Sequence, residues 1–207
     1  METTRAKVPA EAIEAYNDFI HGHLDRRRFM DQLKNIAGAS AAMAMYQALT
    51  PDYAAAQQVS PTDARLRTSR ETVPSPMGNG EIKGYLARPA AAGNNKLPAI
   101  LVIHENRGLN PHIEDVARRS AVAGFLALAP DGVAPVGGYP GNDDEGRDMQ
   151  AKLEQPKLRT DMLNSAKFLK AHAMSNGKLG VTGFCWGGGT TKDRKSTRLN
   201  SSHVSES

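Results

Sequence analysis

Residues 98–103 form an uninterrupted apolar run, Pro-Ala-Ile-Leu-Val-Ile, in a chain of 207 residues. A short run of this kind is typical of a strand that is buried on both faces, as strands of a parallel sheet are. Two more short strands are predicted at 125–129 and 178–182, and helical patterns at 111–124 and 158–173 lie between the strands. This alternation predicts an α/β fold, in which a mostly parallel sheet carries helices on both faces.

A β-hairpin is predicted before the first buried strand. Residues 66–73 and 81–88 have strand composition, and the sequence Met-Gly-Asn-Gly at 77–80 supplies a turn between them. Together with the alternating elements that follow, the hairpin defines a predicted α/β domain over residues 61–190.

The first sixty residues are predicted to form a helical extension. Pro9 opens one helix, and a second helix begins at Asp25 in the sequence Asp-Arg-Arg-Arg-Phe-Met. The paired arginines, the Ala- and Met-rich stretch after them and the small residues at 54–56 are also the components of a twin-arginine export signal. The sequence leaves both interpretations open, and with them a periplasmic or a cytoplasmic location. Stable membrane insertion is not expected, because no stretch reaches the roughly 20 strongly apolar residues of a span.

Composition argues against several classes of function. The net charge of +4 is spread along the chain without a long basic run, and only 5% of residues are aromatic, so a nucleic-acid partner is not expected. A single cysteine excludes an internal disulfide and a Cys-rich zinc site. His104-Glu105 does not continue into the zinc motif H-E-x-x-H, because residue 108 is glycine. Neither a dinucleotide fingerprint nor a Walker A sequence is present, and no cofactor is predicted.

The strongest chemical motif is Gly183-Phe184-Cys185-Trp186-Gly187, directly after the last predicted strand. It has the pattern G-x-nucleophile-x-G, with cysteine as the nucleophile. In this strand-to-helix turn the nucleophile has a strained backbone, and side chains two positions away on either side would clash. Glycine makes up 19 of 207 residues, so chance places it at both positions about 1% of the time. A structural buried cysteine beside a glycine-rich turn is the alternative.

The loop after strand 98–103 is the second candidate element. In folds with this turn, an oxyanion hole combines the N–H of the residue after the nucleophile with an N–H from an earlier loop. Trp186 follows the nucleophile here, and Glu105-Asn106 occupies the corresponding loop. Both backbone N–H groups are expected to face a developing oxyanion.

Three sequence segments together resemble the dienelactone hydrolase family of α/β-hydrolases: His104 to Asn110, Ile113 to Ala117, and Gly183 to Gly188. The resemblance covers about residues 62–190. It implies hydrolysis of lactones or carboxylic esters through an acyl-enzyme, of the carboxymethylenebutenolidase type. The substrate would be a small molecule, with no metal or organic cofactor, and the oligomeric state stays open.

The resemblance also assigns roles to individual residues. Cys185 matches the catalytic nucleophile, and Glu105 matches a loop glutamate that helps to generate the thiolate. Asn106 and Trp186 match the backbone oxyanion donors, in agreement with the loop argument. Among the arginines, Arg147 lies roughly where family members hold a substrate carboxylate, although its surroundings match poorly. Arg107 is an equal candidate for an anion contact, or else a solvated side chain.

The triad acid and histidine of an α/β-hydrolase are expected to be missing from the end of the chain. In an α/β-hydrolase the triad acid and histidine follow the nucleophile, with further strands between them. Only 22 residues follow Cys185, and His203 is the one histidine among them. Residues 191–207 are predicted to be a disordered, non-native-looking tail that resembles translated adapter sequence. A C-terminally truncated domain is therefore expected, and the alternative function is an inactive fragment or a non-enzymatic binding module.

Overall fold

The computed structural model describes residues 8–192. All but the first two residues of the predicted tail, and His203 with them, lie outside this range. The chain divides into two compact units, Met1–Ala56 and Gln57–Ser207. Within the described range, none of the helices combines the length and the apolar character that a membrane crossing requires.

The described residues of the first unit form helices. Asp25 caps its second helix by accepting a hydrogen bond from the Arg28 N–H at 2.8 Å. Phe19 and Phe29 stack at 4.5 Å between ring centroids in the core of the unit. Ile13 is 46% exposed, and the buried face of the first helix carries Ala12, Ala15 and Phe19 instead. The helices are α1 (Ala10–Ile20), α2 (Arg26–Ala37), α3 (Ala42–Leu49) and α4 (Tyr53–Ala56).

The second unit is built on one five-stranded sheet within residues 57–192. In spatial order the strands run β1-β2-β4-β3-β5. The strands are β1 (Leu66–Ser75), β2 (Gly80–Pro89), β3 (Leu97–Ile103), β4 (Leu126–Asp131) and β5 (Ser175–Gly183). β1 and β2 form the predicted antiparallel hairpin, and β2 also pairs antiparallel with β4. β3 pairs parallel with both β4 and β5, so parallel pairing is confined to these three strands.

Helices cover both faces of this sheet, which confirms the predicted α/β layering. Alternate side chains of β3 enter different cores: Leu101 packs in the cluster that includes α7 (Gln155–Ala171), and Val102 packs in the cluster that includes α5 (Pro111–Val122). Strands of this kind need apolar residues on both faces, which explains the continuous run at 98–103. The short helix α8 (Trp186–Lys192) follows β5.

A helix that the sequence analysis did not predict, α6 (Asp143–Ala151), begins in an acidic patch. Asn142 caps it by accepting a hydrogen bond from the Glu145 N–H at 2.9 Å. Acidic residues are favourable in a first turn, because the helix dipole places partial positive charge there. The cap and the three acids from Asp143 to Glu145 are the signal that identifies this helix.

Asp161 on α7 holds the β1–β2 turn in place through buried and partly buried hydrogen bonds. Its fully buried carboxylate accepts hydrogen bonds from the Asn79 N–H at 2.9 Å, from the Asn79 side-chain amide and from the Ser75 hydroxyl. Asp161→Ala leaves the buried Ser75 hydroxyl and the partly buried Asn79 groups without their acceptor, so we expect a loss of about 3 kcal/mol in the free energy of unfolding, measured by urea denaturation. Asp148→Ala, at a carboxylate that is 67% exposed, is the control, with an expected change within about 0.5 kcal/mol. Equal losses in both variants would contradict this role of Asp161.

Candidate active site

Cys185 occupies a strained turn at the end of β5. Its φ of 49° lies in the left-handed region, where a residue with a side chain is disfavoured. Its side chain is exposed, so the sulfur is not buried among aliphatic side chains. A strained, exposed cysteine between a strand and a helix has the geometry of a nucleophile elbow.

The two flanking glycines are required by close backbone contacts. A Cβ on Gly183 would lie 2.6 Å from the carbonyl carbon and oxygen of Gly187. A Cβ on Gly187 would lie 2.6 Å from the backbone oxygens of Ile103 and His104. Real Cβ atoms do not come this close to backbone atoms, so both positions exclude every other residue as long as the turn keeps its shape.

The turn of Cys185 packs against the start of the predicted oxyanion loop. β3 and β5 are parallel neighbours with Ile103 paired to Gly183, so their carboxyl ends meet at one edge of the sheet. The Phe184 N–H donates a hydrogen bond to the Ile103 oxygen at 3.3 Å. Glu105 and Asn106, both half-buried, come directly after this contact. The fold therefore brings the segments of the predicted nucleophile and of Glu105 and Asn106 together.

Trp186 begins α8, where the first backbone N–H groups have no partner inside the helix. Within residues 8–192 its N–H donates to no backbone carbonyl. Its indole Nε1–H donates to Gln155 Oε1 at 3.0 Å, which fixes the side chain. This arrangement is compatible with the predicted oxyanion donor.

His104 contacts both the turn of Cys185 and the loop after β3. The sequence motifs predicted no role for it once the zinc motif was excluded. Its ring is fully buried and stacks on Trp186, with 5.9 Å between ring centroids and 17° between planes. Nε2 accepts a hydrogen bond from the Gly132 N–H at 2.9 Å, and Nδ1 lies 2.6 Å from the Glu105 backbone oxygen. Burial lowers the pKa of His104. No local pattern predicts the contact with Gly132, because that residue lies 28 positions away.

Arg107 is held beside Glu105 by an ion pair. Its side chain is 10% exposed, and Nη1 donates to Asp143 Oδ2 at 2.7 Å, while Nε lies 3.9 Å from Glu105 Oε2. The alternative that Arg107 is simply solvated is therefore wrong. Tyr139 donates its hydroxyl to Asp143 at 2.9 Å, and burial, reinforced by the Asp143 charge, raises the pKa of that hydroxyl. Arg147 instead lies 3.6 Å from Asp148, in an ion pair on α6.

A buried carboxylate at the end of β4 shapes the loops of the site. Asp131 accepts hydrogen bonds from the backbone N–H groups of Leu109, Val133 and Tyr139 at 3.1 to 3.2 Å. It therefore ties the loop after β3 to the loop after β4. Its position directly after a buried strand is the only sequence signal for this role.

Two further features complete the description of this region. Within residues 8–192, no group of three or more His, Cys, Asp or Glu side chains is arranged to hold a metal ion. A groove of about 380 Å³ lies along α5, between His112, Val116, Phe125 and Phe184. None of the predicted site residues lines this groove.

Comparison with known proteins gives the family. The model of the dienelactone hydrolase family matches residues 82–199, more than half of the chain. The chain belongs to the dienelactone hydrolase family. This confirms the resemblance that the sequence motifs indicated, and with it membership of a family of hydrolases.

Individual relatives match different shares of the chain. The "Putative hydrolase fragment YghX" of Escherichia coli is 56% identical over 113 residues, which are 55% of this chain and 96% of that protein. The "Putative carboxymethylenebutenolidase" of Methylorubrum extorquens is 36% identical over 148 residues, 70% of this chain and 50% of that protein. The chain spans about half the length of the carboxymethylenebutenolidases that it matches.

A solved structure has the same fold as this member of the dienelactone hydrolase family. The structure of the esterase Est22 aligns with a TM-score of 0.53 and 17% identity, over 81% of this chain and 51% of that one. A likeness at this identity concerns the fold alone. The predicted α/β-hydrolase fold is confirmed.

Proposed function

We propose that this chain carries the nucleophile of a cysteine-dependent hydrolase of lactones or carboxylic esters, acting on small molecules through an acyl-enzyme. The observation that carries the proposal is the conformation of Cys185, strained at φ 49° and exposed between two glycines that admit no Cβ. Such strain costs of order 1 to 3 kcal/mol and persists where the surrounding structure imposes it, most often at active sites. Membership of a hydrolase family supports the same conclusion.

The proposed chemistry has two halves. The thiolate of Cys185 attacks the carbonyl carbon, and the carbonyl oxygen takes up the electron pair while the Asn106 and Trp186 N–H groups stabilise its charge. The intermediate then collapses, the bond to the leaving oxygen breaks, and a thioester remains on the enzyme. The leaving oxygen takes up the proton given by the thiol. In the second half water attacks the thioester carbonyl, the C–S bond breaks, the product leaves as a carboxylic acid, the sulfur is restored as thiolate, and the remaining proton of the water passes to solvent. His104 does not serve as the base for that step, because both ring nitrogens are engaged in hydrogen bonds.

Glu105 is proposed to accept the thiol proton as substrate binds. Its side chain is 28% exposed, and its ion pair with Arg107 is long, at 3.9 Å. Arg107 has a closer partner in Asp143, at 2.7 Å. Glu105 is therefore held only weakly by this arginine, which supports a change of partner toward the sulfur.

Acylation of the sole cysteine tests the proposal, since this half of the reaction needs only the nucleophile, Glu105 and the oxyanion donors. When the protein is mixed with p-nitrophenyl acetate, we expect rapid release of about one equivalent of p-nitrophenolate and one acetyl group on Cys185, located by peptide mass spectrometry. Protein treated beforehand with iodoacetamide is the control and should show no rapid phase. Acetyl groups scattered over lysines at the same rate in both samples would reject the cysteine mechanism. That outcome would favour the alternative of a non-enzymatic binding module.

A further inference from the structure

The protonation state of His104 follows from its two hydrogen bonds. Nε2 accepts the Gly132 N–H, so the ring proton must reside on Nδ1, which donates to the Glu105 oxygen at 2.6 Å. Burial lowers the pKa of the ring and outweighs the opposing influence of the Glu105 backbone and of the Asp131 and Glu105 charges. His104 is therefore a neutral imidazole with a fixed tautomer at pH 7.

This hydrogen bond sets the direction of the Asn106 N–H. The Glu105 carbonyl and the Asn106 N–H belong to one peptide unit, which is trans, so the two groups point in opposite directions. Holding the carbonyl toward His104 therefore aims the N–H away from the imidazole. Gln150 Nε2 lies 3.4 Å from the same oxygen and supports the same orientation.

The His104 imidazole also contacts Trp186, whose backbone N–H is the second proposed oxyanion donor. Its ring face lies parallel to the Trp186 indole, and the indole is anchored at its far end by Gln155. The backbone oxygen of His104 also forms part of the surface that excludes a side chain at Gly187. One buried residue thus contacts both segments that carry the proposed oxyanion donors.

We propose that His104 is the positioning residue of the oxyanion hole: its Nδ1–H orients the peptide that presents the Asn106 N–H, and its ring supports Trp186. The inference rests on the proposed function, because it concerns the stabilisation of an oxyanion formed by attack of Cys185. His104 itself exchanges no proton with the substrate.

Two isosteric substitutions separate the contacts of His104. In His104→Asn the side-chain amide nitrogen takes the place of Nδ1, whereas in His104→Gln the amide takes the place of Nε2. We expect His104→Asn to acetylate Cys185 more slowly than the wild type, because the ring that supports Trp186 is lost, but faster than His104→Gln, because the donor to the Glu105 oxygen is kept. His104→Gln should be slower by about tenfold or more, because loss of one oxyanion-hole donor costs roughly 10² to 10³ in rate. His172→Gln, at the end of α7, is the matched control and should not change the rate.

A second reaction distinguishes positioning from general damage. Alkylation of Cys185 by iodoacetamide displaces iodide without forming an oxyanion, so its rate should be the same in the wild type and both variants. An acylation rate in His104→Gln equal to or above that of His104→Asn would overturn the inference. A parallel fall of acylation and alkylation would overturn it too, since it would mean that the turn itself is disturbed.

Nuclear magnetic resonance of the wild-type protein, labelled with ¹⁵N-histidine, gives a test that does not depend on how the variants fold. We expect the His104 ring to carry its proton on Nδ1 at pH 7, and a proton on Nε2 would refute the inference. Failure of the proposed function is recognised separately. In that case the wild-type protein itself does not acetylate Cys185.

Discussion

Cys185→Ala should abolish the rapid release of p-nitrophenolate, with a fall in rate on the order of 10⁴ or more, because no other group of the turn can form the acyl bond. The measurement is stopped-flow absorbance at equal protein concentration, with the melting temperature as a check on folding. Removing the sulfur from an exposed position should leave the melting temperature within a few degrees of the wild type. Rapid release that survives in Cys185→Ala would reject Cys185 as the nucleophile.

Cys185→Ser is the companion variant for the mechanism. It keeps the shape of the turn but replaces the thiol by a hydroxyl, which a carboxylate such as Glu105 does not readily deprotonate. We expect most of the rate to be lost in this variant as well. Near wild-type rates would mean that a thiolate is not required.

Gly187→Ala should also lower the acylation rate, by less than Cys185→Ala, without touching the nucleophile. The added Cβ would lie 2.6 Å from the backbone oxygens of Ile103 and His104, so the turn must move away from the loop that carries the proposed donors. A shift of about 1 Å at such a site costs on the order of 10²-fold in rate. The same stopped-flow assay measures the loss.

Gly189→Ala is the matched control for this substitution, two residues further along α8. A Cβ there meets nothing within 4 Å, and alanine favours a helix over glycine by roughly 1 kcal/mol. Activity should be retained and stability should not fall. If both alanine variants behave alike, the close contacts of Gly187 do not control the chemistry.

The elements of the second unit were predictable where local signals were strong. Strands β3 and β4 coincide with their apolar runs to within two residues, since a strand buried on both faces has no polar alternation to obscure it. β5 begins at Ser175, three residues before its predicted start, because Ser175 pairs with Leu97 despite its polar side chain. Helix α6 was missed, because its buried residues, Gly146 and Gln150, do not form the apolar stripe that marks a helix.

The candidate site also contains features that the local sequence predicts and contacts that it does not. The nucleophile turn is encoded within five consecutive residues, so its glycines could be derived from local sterics, and the structure gives the backbone contacts that require them. The contacts of His104 with Gly132 and of Arg107 with Asp143 could not be derived, because these partners lie 28 and 36 residues away. Such contacts exist only after the sheet has brought distant loops to one edge. The roles of Cys185, Glu105, Asn106 and Trp186 stay predictions.

The backbone conformation of Cys185 lowers the stability of the folded protein. A residue with a Cβ at φ 49° raises the energy of the folded state relative to glycine, by roughly 1 kcal/mol or more. Stability alone would thus favour glycine at this position, in the middle of a glycine-rich turn. A cysteine at this position lowers the free energy of unfolding of a marginally stable fold, and the proposed nucleophile requires it.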